Sequence, residues 1–246
     1  MHFLGDCMVT DKRVAVVTGA SGALGRVVTR DLVERGIQVV CPYRHDGALN
    51  ELKAALGPLS SSLTAVQGDV TVEEDVKKLF ERALTINGRV DILLNIAGAY
   101  RGGSELQNTS VDDWDAMMNT NLKSAFLCSR AVLPSMIQNN SGKIVNVAAR
   151  PAVEKRYRAK SGAYSVSKAG VAVLTETIAE ELRKYDINVN AVMPSTIDSP
   201  DNRKNMPQAD TSKWVKPEDV SRVIMYLISD DSKVTSGALV PVYGKA

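Results

Sequence analysis

The sequence predicts an α/β fold, a single doubly wound domain in which about seven parallel strands form one sheet with helices on both faces. Two observations support this prediction. Short apolar runs alternate along the chain with longer segments whose apolar residues recur at helical spacing. The connections are short, and no linker, internal repeat or low-complexity stretch divides the 246 residues. We therefore treat residues 1–246 as one domain.

The first strand and helix set the pattern for the rest of the chain. Residues 13–18, RVAVVT, form a short apolar run that ends at Gly19, as expected for a buried parallel strand. Residues 23–36 then place their apolar side chains at helical spacing and end at a glycine. The alternation continues, with further strands expected near 37–41, 63–67, 90–95, 143–148, 187–193 and 237–242, and further helices near 46–56, 72–87, 112–138, 162–185 and 217–229.

One long irregular stretch, residues 194–214, interrupts this alternation and contains Pro194, Pro200 and Pro207. A loop of that length in a compact domain is usually a lid or a binding loop. We call this segment the lid. Two interpretations of its cations, Arg203 and Lys204, stay open: contacts to cofactor phosphates, or charges that only meet solvent.

Composition excludes several classes of protein. The formal net charge is +2, so bulk charge favours neither a nucleic acid nor a membrane surface as partner. No apolar run approaches the length of about 18 residues that a membrane span needs. Cys7, Cys41 and Cys128 are odd in number and widely spaced, which fits reduced thiols better than a disulfide framework. The start of the chain lacks the pattern of a secretory signal, so we expect a cytoplasmic protein.

A glycine-rich turn, TGASGALG at residues 18–25, follows the first strand and opens the first helix. In this setting Gly19 permits a tight turn, Gly22 lets the backbone approach a pyrophosphate, and Gly25 lets the helix pack on the strand. The start of the helix also offers free N–H groups to phosphate. The turn therefore predicts a dinucleotide site, the alternative being a tight turn without a ligand.

The end of the second strand indicates which dinucleotide binds. An acidic residue there would hold the ribose 2′-hydroxyl of NAD. Here Tyr43 and Arg44 occupy that place and Asp46 lies further on. Since a guanidinium suits a 2′-phosphate, we favour NADP over NAD. The alternative for Arg44 is a solvated loop charge.

An ordered set of motifs resembles the short-chain dehydrogenase/reductase family: TGASGALG, GDV at 68–70, NIAG at 95–98, Asn121 in NTNLKSAF, and YSVSK at 164–168. The resemblance spans almost the whole chain and implies a Rossmann-type fold, hydride transfer with a nicotinamide cofactor, a small-molecule substrate, and a homotetramer or homodimer that pairs its two long helices. It implies that Asp69 and Val70 contact adenine. It also places Ser21, Leu24, Asn95, Ala97, Gly98, Pro194, Thr196 and Ile197 at the cofactor, with Tyr164 and Lys168.

Tyr164 and Lys168 are the candidate catalytic pair, one helical turn apart. Reduction of a C=O or C=N group needs a proton as well as a hydride. A nearby ammonium, together with the positive nicotinamide of the oxidised cofactor, is expected to lower the pKa of the Tyr164 phenol. The alternative is a surface helix pair without function. By resemblance, Lys168 holds the nicotinamide ribose, and Asn121 distorts its helix and anchors a water that relays protons to Lys168. No metal site is expected.

The family usually carries a serine after the fifth strand that donates to the substrate carbonyl. Here the strand KIVNV runs into Ala148 and Ala149, and aligning on the strand puts Ala149 in the serine position. Counting back from Tyr164 gives Pro151 instead. Ser161 is expected to lie on the wrong side of the loop. Loss of one such donor costs about 2.7–4 kcal/mol, so a conjugated substrate that spreads its charge is favoured.

This alanine and the lid resemble the dihydropteridine reductase branch, which implies a quinonoid dihydropterin as one candidate substrate. Tyr100, in IAGAYRGG, is then the candidate to stack on a pterin. Two alternatives stay open: a 3-oxoacyl-type ketoreductase, and a cofactor-binding protein whose chemistry has decayed.

A basic loop follows the fifth strand and is expected to rim the mouth of the site. Its cations favour an anionic substrate, such as a carboxylate or a phosphopantetheine, or are simply solvated. They are Lys155, Arg156, Arg158 and Lys160.

Overall fold

The computed structural model describes residues 12–245, and in that range the chain folds around one seven-stranded sheet. All neighbouring strands are parallel, in the order β3-β2-β1-β4-β5-β6-β7. The strands are β1 (Val14–Thr18), β2 (Gln38–Tyr43), β3 (Leu63–Gln67), β4 (Ile92–Asn95), β5 (Gly142–Val147), β6 (Ile187–Pro194) and β7 (Leu239–Val242).

The helices cover both faces of this sheet. They are α1 (Ala23–Glu34), α2 (Asp46–Leu56), α3 (Glu73–Asn87), α4 (Val111–Met117), α5 (Ser124–Asn139), α6 (Arg150–Val153), α7 (Gly162–Glu181), α8 (Pro200–Asn205) and α9 (Pro217–Leu227). A π-helical segment, Met118–Lys123, joins α4 to α5. Short 3₁₀ turns lie at Gly57–Ser62, Leu106–Asn108, Lys155–Tyr157, Thr211–Lys213 and Asp230–Ser232.

The strands are apolar runs because both faces of the sheet are buried. On β1, Ala15 and Val17 pack into a core formed with α1, α2 and α9. Val14 and Val16 point the other way, into a second core formed with α3, α5 and α7. Because side chains alternate across a strand, a doubly covered strand must be apolar at successive positions. The predicted α/β fold is therefore confirmed.

The sheet order places a crevice where ligands bind in folds of this kind. β1 and β4 are neighbours, and the chain winds outward from them in opposite directions, toward β3 and toward β7. In an open parallel sheet this switch point leaves a crevice at the carboxyl ends of the strands. The glycine-rich turn follows β1 at that edge, and the segment after β4 lies beside it.

Each predicted strand and helix is present, with differences at three places. The helix predicted over 112–138 is divided by the π segment. The helix predicted over 162–185 ends at Glu181. The lid contains the helix α8, whose first turn is capped by Ser199, since its hydroxyl accepts from Asn202 N at 3.2 Å. The helix was not predicted because the prolines of this segment indicate an irregular loop. Pro200 nevertheless occupies the first helical position, where proline is tolerated.

Cys41 and Cys128 are free buried thiols, and burial raises the pKa of each to about 12. Cys7 lies outside the described residues. None of the described helices has the length and apolar content needed to cross a membrane. Between residues 12 and 245 there is also no cluster of three or more His, Cys, Asp or Glu side chains suited to a metal ion.

Candidate active site

A cleft of about 460 Å³ opens at the carboxyl ends of β4, β5 and β6. Its volume lies in the range of small-molecule sites. The walls come from the segments that follow these three strands, from α7 and from the lid. The lining residues are Ile96, Gly98, Ala99, Tyr100, Val147, Ala148, Ala149, Arg150, Pro151, Tyr157, Tyr164, Lys168, Pro194, Ser195, Thr196, Ile197, Asn202 and Met206.

Tyr164 and Lys168 both line this cleft from α7, as the four-residue spacing predicts. Lys168 is only 4% exposed, and its Nζ donates to the carbonyl oxygen of Val147 at 2.7 Å. Burial lowers the pKa of Lys168 to about 8, because the charged form loses solvation. The ammonium is thus held against the end of β5, facing the cleft.

Tyr164 lies edge-on against Tyr100, with ring centroids 4.9 Å apart and an interplanar angle of 76°. Burial, and then the Tyr100 phenol, raise the pKa of Tyr164 above its usual value. The lowering expected from Lys168 together with the positive nicotinamide of an oxidised cofactor stays a prediction for the cofactor complex. Burial is the largest cause of this raised pKa, and the Lys168 ammonium is engaged with the carbonyl oxygen of Val147. The phenol is consequently protonated at neutral pH, the state that a proton donor needs.

Asn121 lies in the π segment, which confirms the expected distortion of its helix. Its Oδ1 accepts from Ala99 N at 2.9 Å, and its Nδ2 donates to Ala99 O at 3.1 Å and to Ser167 Oγ at 2.9 Å. The amide thereby joins the segment after β4 to α7. A Cβ on Gly98 would lie 2.9 Å from Asn121 Oδ1 and 3.1 Å from Lys168 Nζ. Glycine at this position lets both groups lie close to the backbone of the segment after β4.

The glycine-rich turn fits a dinucleotide pyrophosphate. Gly19 has φ +69°, and a Cβ there would lie 2.8 Å from Ala97 N. A Cβ on Gly25 would lie 2.0 Å from Gly19 O, so the helix and turn are in direct contact. At Gly22 the nearest atom would be Gly19 O at 3.4 Å, an ordinary contact. A side chain on Gly22 would therefore fill an open cradle at the start of α1, where the first N–H groups have no intrahelical acceptor.

Two further predicted residues of this turn have limited access to a ligand. Ser21 is partly exposed, and its carbonyl oxygen accepts from Arg26 Nε at 2.6 Å. The Leu24 side chain is buried in the core against α9 and the sheet. Leu24 can therefore contact a cofactor only through its backbone, and that contact stays a prediction.

The segment after β4 is fastened to β1 by Thr18, whose Oγ1 accepts from the N–H groups of Ile96 at 3.1 Å and Ala97 at 3.0 Å. Gly98 lines the cleft as predicted. Asn95 does not, because its Nδ2 points inward and donates to Ser129 Oγ at 3.1 Å and Asn146 Oδ1 at 2.8 Å. The expectation that Asn95 lines the cleft is wrong, since pairing within the core directs its amide away from it.

Arg44 and Asp69 lie side by side at the ends of β2 and β3. Arg44 Nη1 is 3.8 Å from Asp69 Oδ2, and the Arg44 side chain is 68% exposed. An ion pair this long and exposed contributes little, so the guanidinium is available to a ligand. Val70 is half-buried and packs against the core beside α3.

The base of the lid lines the cleft, as predicted for Pro194, Thr196 and Ile197. A bridge between Ile197 and Val215 closes that base. Arg203 instead forms a bidentate ion pair with Asp198, at 2.6 Å and 2.7 Å. A phosphate contact through Arg203 would require this pair to break. Asn202 and Met206 also line the cleft, which the sequence did not predict because α8 was not foreseen.

The two positions that align with the absent serine both lie in the cleft wall. Ala149 and Pro151 both line it, so both ways of aligning this segment lead to the same wall. Ser161 is no substitute, because its Oγ is buried and bonds to Arg158 O at 3.0 Å and Ser165 Oγ at 2.9 Å.

The cation on this wall is Arg150, which the sequence analysis missed. Within the described chain, none of the four basic residues of the loop at 154–162 lines the cleft. Arg158, for example, donates to the carbonyl oxygens of Pro151 and Ala152, both at 2.8 Å, and so holds the loop together. The position of Arg150 in the sequence could have predicted this. Arg150 follows β5 almost directly, at the edge of the sheet where ligands bind.

Comparison with known proteins places these features in context. The family model described as short chain dehydrogenase matches residues 13–210. The chain is 32% identical to (2S)-[(R)-hydroxy(phenyl)methyl]succinyl-CoA dehydrogenase subunit BbsD of Thauera aromatica, covering 96% of this chain and 97% of that protein. It is 31% identical to 3-oxoacyl-[acyl-carrier-protein] reductase FabG of Thermotoga maritima, covering 96% and 98%. A solved actinorhodin polyketide ketoreductase with NADPH aligns with a TM-score of 0.87 at 26% identity, covering 95% and 97%.

Proposed function

Because the chain belongs to the short chain dehydrogenase family of oxidoreductases, we propose that it is an NADPH-dependent reductase of a carbonyl compound. The observation that carries this proposal is the pair Tyr164 and Lys168, which face one cleft beside the glycine-rich turn. Two relatives, named as a 3-oxoacyl-[acyl-carrier-protein] reductase and a hydroxy(phenyl)methylsuccinyl-CoA dehydrogenase, support the exchange of a ketone with an alcohol.

In this mechanism the backbone at Gly22 and the start of α1 hold the pyrophosphate, and the cofactor supplies the hydride when it is bound. Tyr164 donates a proton from its hydroxyl to the carbonyl oxygen of the substrate. Burial raises the pKa of Tyr164 in the protein by itself, so the phenol holds its proton before the reaction and needs the Lys168 charge to release it. The apolar wall of Val147, Ala148 and Ala149 keeps water from the reacting atoms.

Lys168 and Asn121 support this proton transfer in different ways. Lys168 presents a positive charge to the cleft, where it stabilises the phenolate that remains after donation. Asn121 Oδ1 and Lys168 Nζ both lie close to Gly98, so a water molecule held between these two groups would return a proton from solvent to Lys168. Asn121 is therefore a positioning residue in this proposal.

Ala149→Ser should increase the rate of ketone reduction, because it restores a hydroxyl on the cleft wall beside the carbonyl. One such donor is worth about 10²–10³ in rate when it is well placed, so we expect an increase in kcat/KM of at least about 10-fold. Steady-state kinetics on a simple ketone measures this effect. Ala148→Ser is the matched control, since it adds the same hydroxyl to the neighbouring buried position. An equal effect of both substitutions, or none from either, would contradict the explanation.

We propose NADP rather than NAD as the cofactor. The exposed guanidinium of Arg44 at the end of β2 supports this preference, and so does the NADPH in a structural neighbour of 26% identity. Asp69 contributes little to neutralising Arg44, because the two groups are 3.8 Å apart and the Arg44 side chain is 68% exposed.

Arg44→Asp should shift the preference from NADPH toward NADH by at least about 10-fold, because charge-assisted bonds to the 2′-phosphate are lost and repulsion replaces them. The ratio of kcat/KM for the two cofactors is the measurement. Arg30→Asp makes the same charge change on α1, where the guanidinium donates to Ala55 O, and should leave the ratio unchanged. An unchanged ratio in Arg44→Asp would contradict the NADP assignment.

The proposed activity is tested by following nicotinamide absorbance with both cofactors over a panel of substrates. Turnover of ketones or acetoacetyl thioesters supports a carbonyl reductase. None of the relatives named above is named as a pterin enzyme. The quinonoid dihydropterin is therefore one of the substrates to assay, and Tyr100 would be the residue that stacks on it. Cofactor binding without any turnover would instead support the decayed, cofactor-binding alternative.

We also propose a homotetramer or homodimer. Its support is apolar surface on the long helices, since Phe126 on α5 and Val166 and Val173 on α7 are exposed. A cytoplasmic location stays a prediction from the sequence.

A further inference from the structure

Arg150 is a buried cation held between two aromatic rings. Its guanidinium carbon lies 4.1 Å from the ring centroid of Tyr157 and 4.3 Å from that of Tyr243. The residue is only 6% exposed. Rings on both sides stabilise a desolvated guanidinium and fix its plane.

Hydrogen bonding leaves this cation incompletely satisfied. Arg150 Nε lies 3.2 Å from Glu154 Oε1, in an ion pair whose geometry is not that of a hydrogen bond. Arg150 Nε and Nη1 are both buried, and neither has a hydrogen-bond partner among the residues the structure describes. Native proteins contain few such donors, and each calls for an explanation.

Glu154 does not supply a full counter-charge to Arg150. Its other oxygen, Oε2, pairs with Arg156 Nε at 3.1 Å, so one carboxylate is shared between two guanidinium groups. Burial acts to raise the pKa of Glu154, but the contacts with Arg150 and Arg156 outweigh it and hold that pKa below its usual range. The cluster therefore keeps an excess of positive charge.

A structural role explains only part of this arrangement. Arg150 joins α6 to Tyr157 and to Tyr243 near the end of the chain, which accounts for the two ring contacts. It does not account for the unused donors, or for the place of Arg150 on the cleft wall next to Ala149. The other cleft cation, Lys168, is already bonded to Val147 O.

We propose that Arg150 is the substrate-binding cation of the cleft and that the carbonyl substrate carries a carboxylate, which Arg150 binds. This inference rests on the proposed reductase function and names its substrate class. A carboxylate matches the planar fork of a guanidinium. It would accept from Arg150 Nη1, which is buried without a hydrogen-bond partner in residues 12–245 and would turn toward the substrate, while Nε keeps its ion pair with Glu154. Tyr164 remains the partner of the carbonyl oxygen, so the two groups would hold opposite ends of a keto acid.

The test compares keto acids with their esters: levulinate with methyl levulinate, and benzoylformate with methyl benzoylformate, each with NADPH. The wild-type enzyme should have the lower KM for the acids. Arg150→Gln should raise the KM for the acids by about 10- to 100-fold, the effect of one or two charged hydrogen bonds, and leave the esters nearly unchanged. Arg150→Lys, which keeps the charge without the fork, should fall between them.

Arg156→Gln is the matched control. Arg156 pairs with the same Glu154 and lies over the same Tyr157 ring, but its side chain is 68% exposed and does not line the cleft. It should leave the preference for acids intact. Equal losses in both variants, or equal losses for acids and esters in Arg150→Gln, would overturn the proposal in favour of a structural role or a direct role at the carbonyl.

A binding measurement separates this inference from the proposed function. Cyclohexanecarboxylate has no ketone to reduce, and its binding to the NADPH-loaded protein can be measured by calorimetry. Wild type should bind it, and Arg150→Gln should bind about 10-fold or more weakly. Absence of turnover with such binding would refute the reductase assignment and keep the carboxylate site. Turnover of esters without binding, or without any acid preference in the wild type, would refute the carboxylate site alone.

Discussion

Tyr164→Phe should abolish carbonyl reduction while leaving the affinity for dinucleotide nearly unchanged. The substitution removes the hydroxyl that donates the proton and keeps the ring that packs edge-on against Tyr100. General acid catalysis by one side chain contributes about 10²–10⁴ in rate, so we expect kcat to fall by at least about 100-fold. The position is half-buried and the ring is retained, so stability should change little.

Two measurements check this prediction: kcat by nicotinamide absorbance, and NADPH affinity by fluorescence titration. Tyr100→Phe is the control, because it removes a hydroxyl from the neighbouring ring in the same cleft. It should retain most of the activity, and it should lower the pKa of Tyr164, which the Tyr100 phenol helps to raise. Substantial turnover by Tyr164→Phe would show that the Tyr164 hydroxyl is not the proton donor. Equal losses in both variants would show a general effect on the cleft.

Gly22→Ala and Gly25→Ala should have different effects, although the two glycines lie in one turn. Gly25→Ala should lower stability, and Gly22→Ala should weaken NADPH binding. An added Cβ at Gly25 would lie 2.0 Å from the backbone oxygen of Gly19, which cannot rotate away. Overpacking of this kind costs about 1–3 kcal/mol and sometimes more, so we expect Gly25→Ala to lower the free energy of unfolding by at least about 3 kcal/mol. At Gly22 the same atom would meet Gly19 O at 3.4 Å, which the protein accommodates.

Gly22→Ala should therefore fold with a loss of stability within about 1 kcal/mol, the size of an N-cap change. Its Cβ would occupy the cradle meant for the pyrophosphate, so NADPH should bind about 100-fold more weakly, or about 2.7 kcal/mol. Urea unfolding and NADPH titration separate the two effects. A Gly22→Ala protein that binds NADPH normally would show that phosphate does not approach this turn. Wild-type stability in Gly25→Ala would show that the turn and α1 can move apart.

The alternation of strands and helices was predictable because it is a local property of the chain. A strand covered on both faces is a short apolar run, and a helix has apolar residues at a period near 3.6. The helix α8 in the lid escaped prediction, and the distortion at Asn121 was expected from the resemblance alone, because both depend on caps or on contacts made outside the segment. Asn121, for example, bonds to Ala99 and Ser167, which belong to other elements.

The candidate site divides along the same line. The glycine spacing and the spacing of Tyr164 to Lys168 are local features of the sequence. In the structure Tyr164 and Lys168 line one cleft, and the glycine-rich turn contacts Ala97, next to Gly98 in the cleft wall. Asn95 was misplaced because its orientation is set by Ser129 and Asn146 across the sheet interior. The clustered charges of the basic loop at 154–162 indicated cations at the cleft. The cation on the cleft wall is instead Arg150, which lies outside that cluster in the sequence.

The sequence by itself determined the fold class, the strand and helix order, the phosphate turn and the identity of the tyrosine and lysine, since each is encoded in spacing within a few residues. Only the tertiary structure decided how these groups behave. The direction of the Tyr164 pKa follows from burial, and the state of Arg150 follows from rings on two separate segments. The physical reason is that desolvation and pairing depend on neighbours distant in the chain, which local periodicity does not specify.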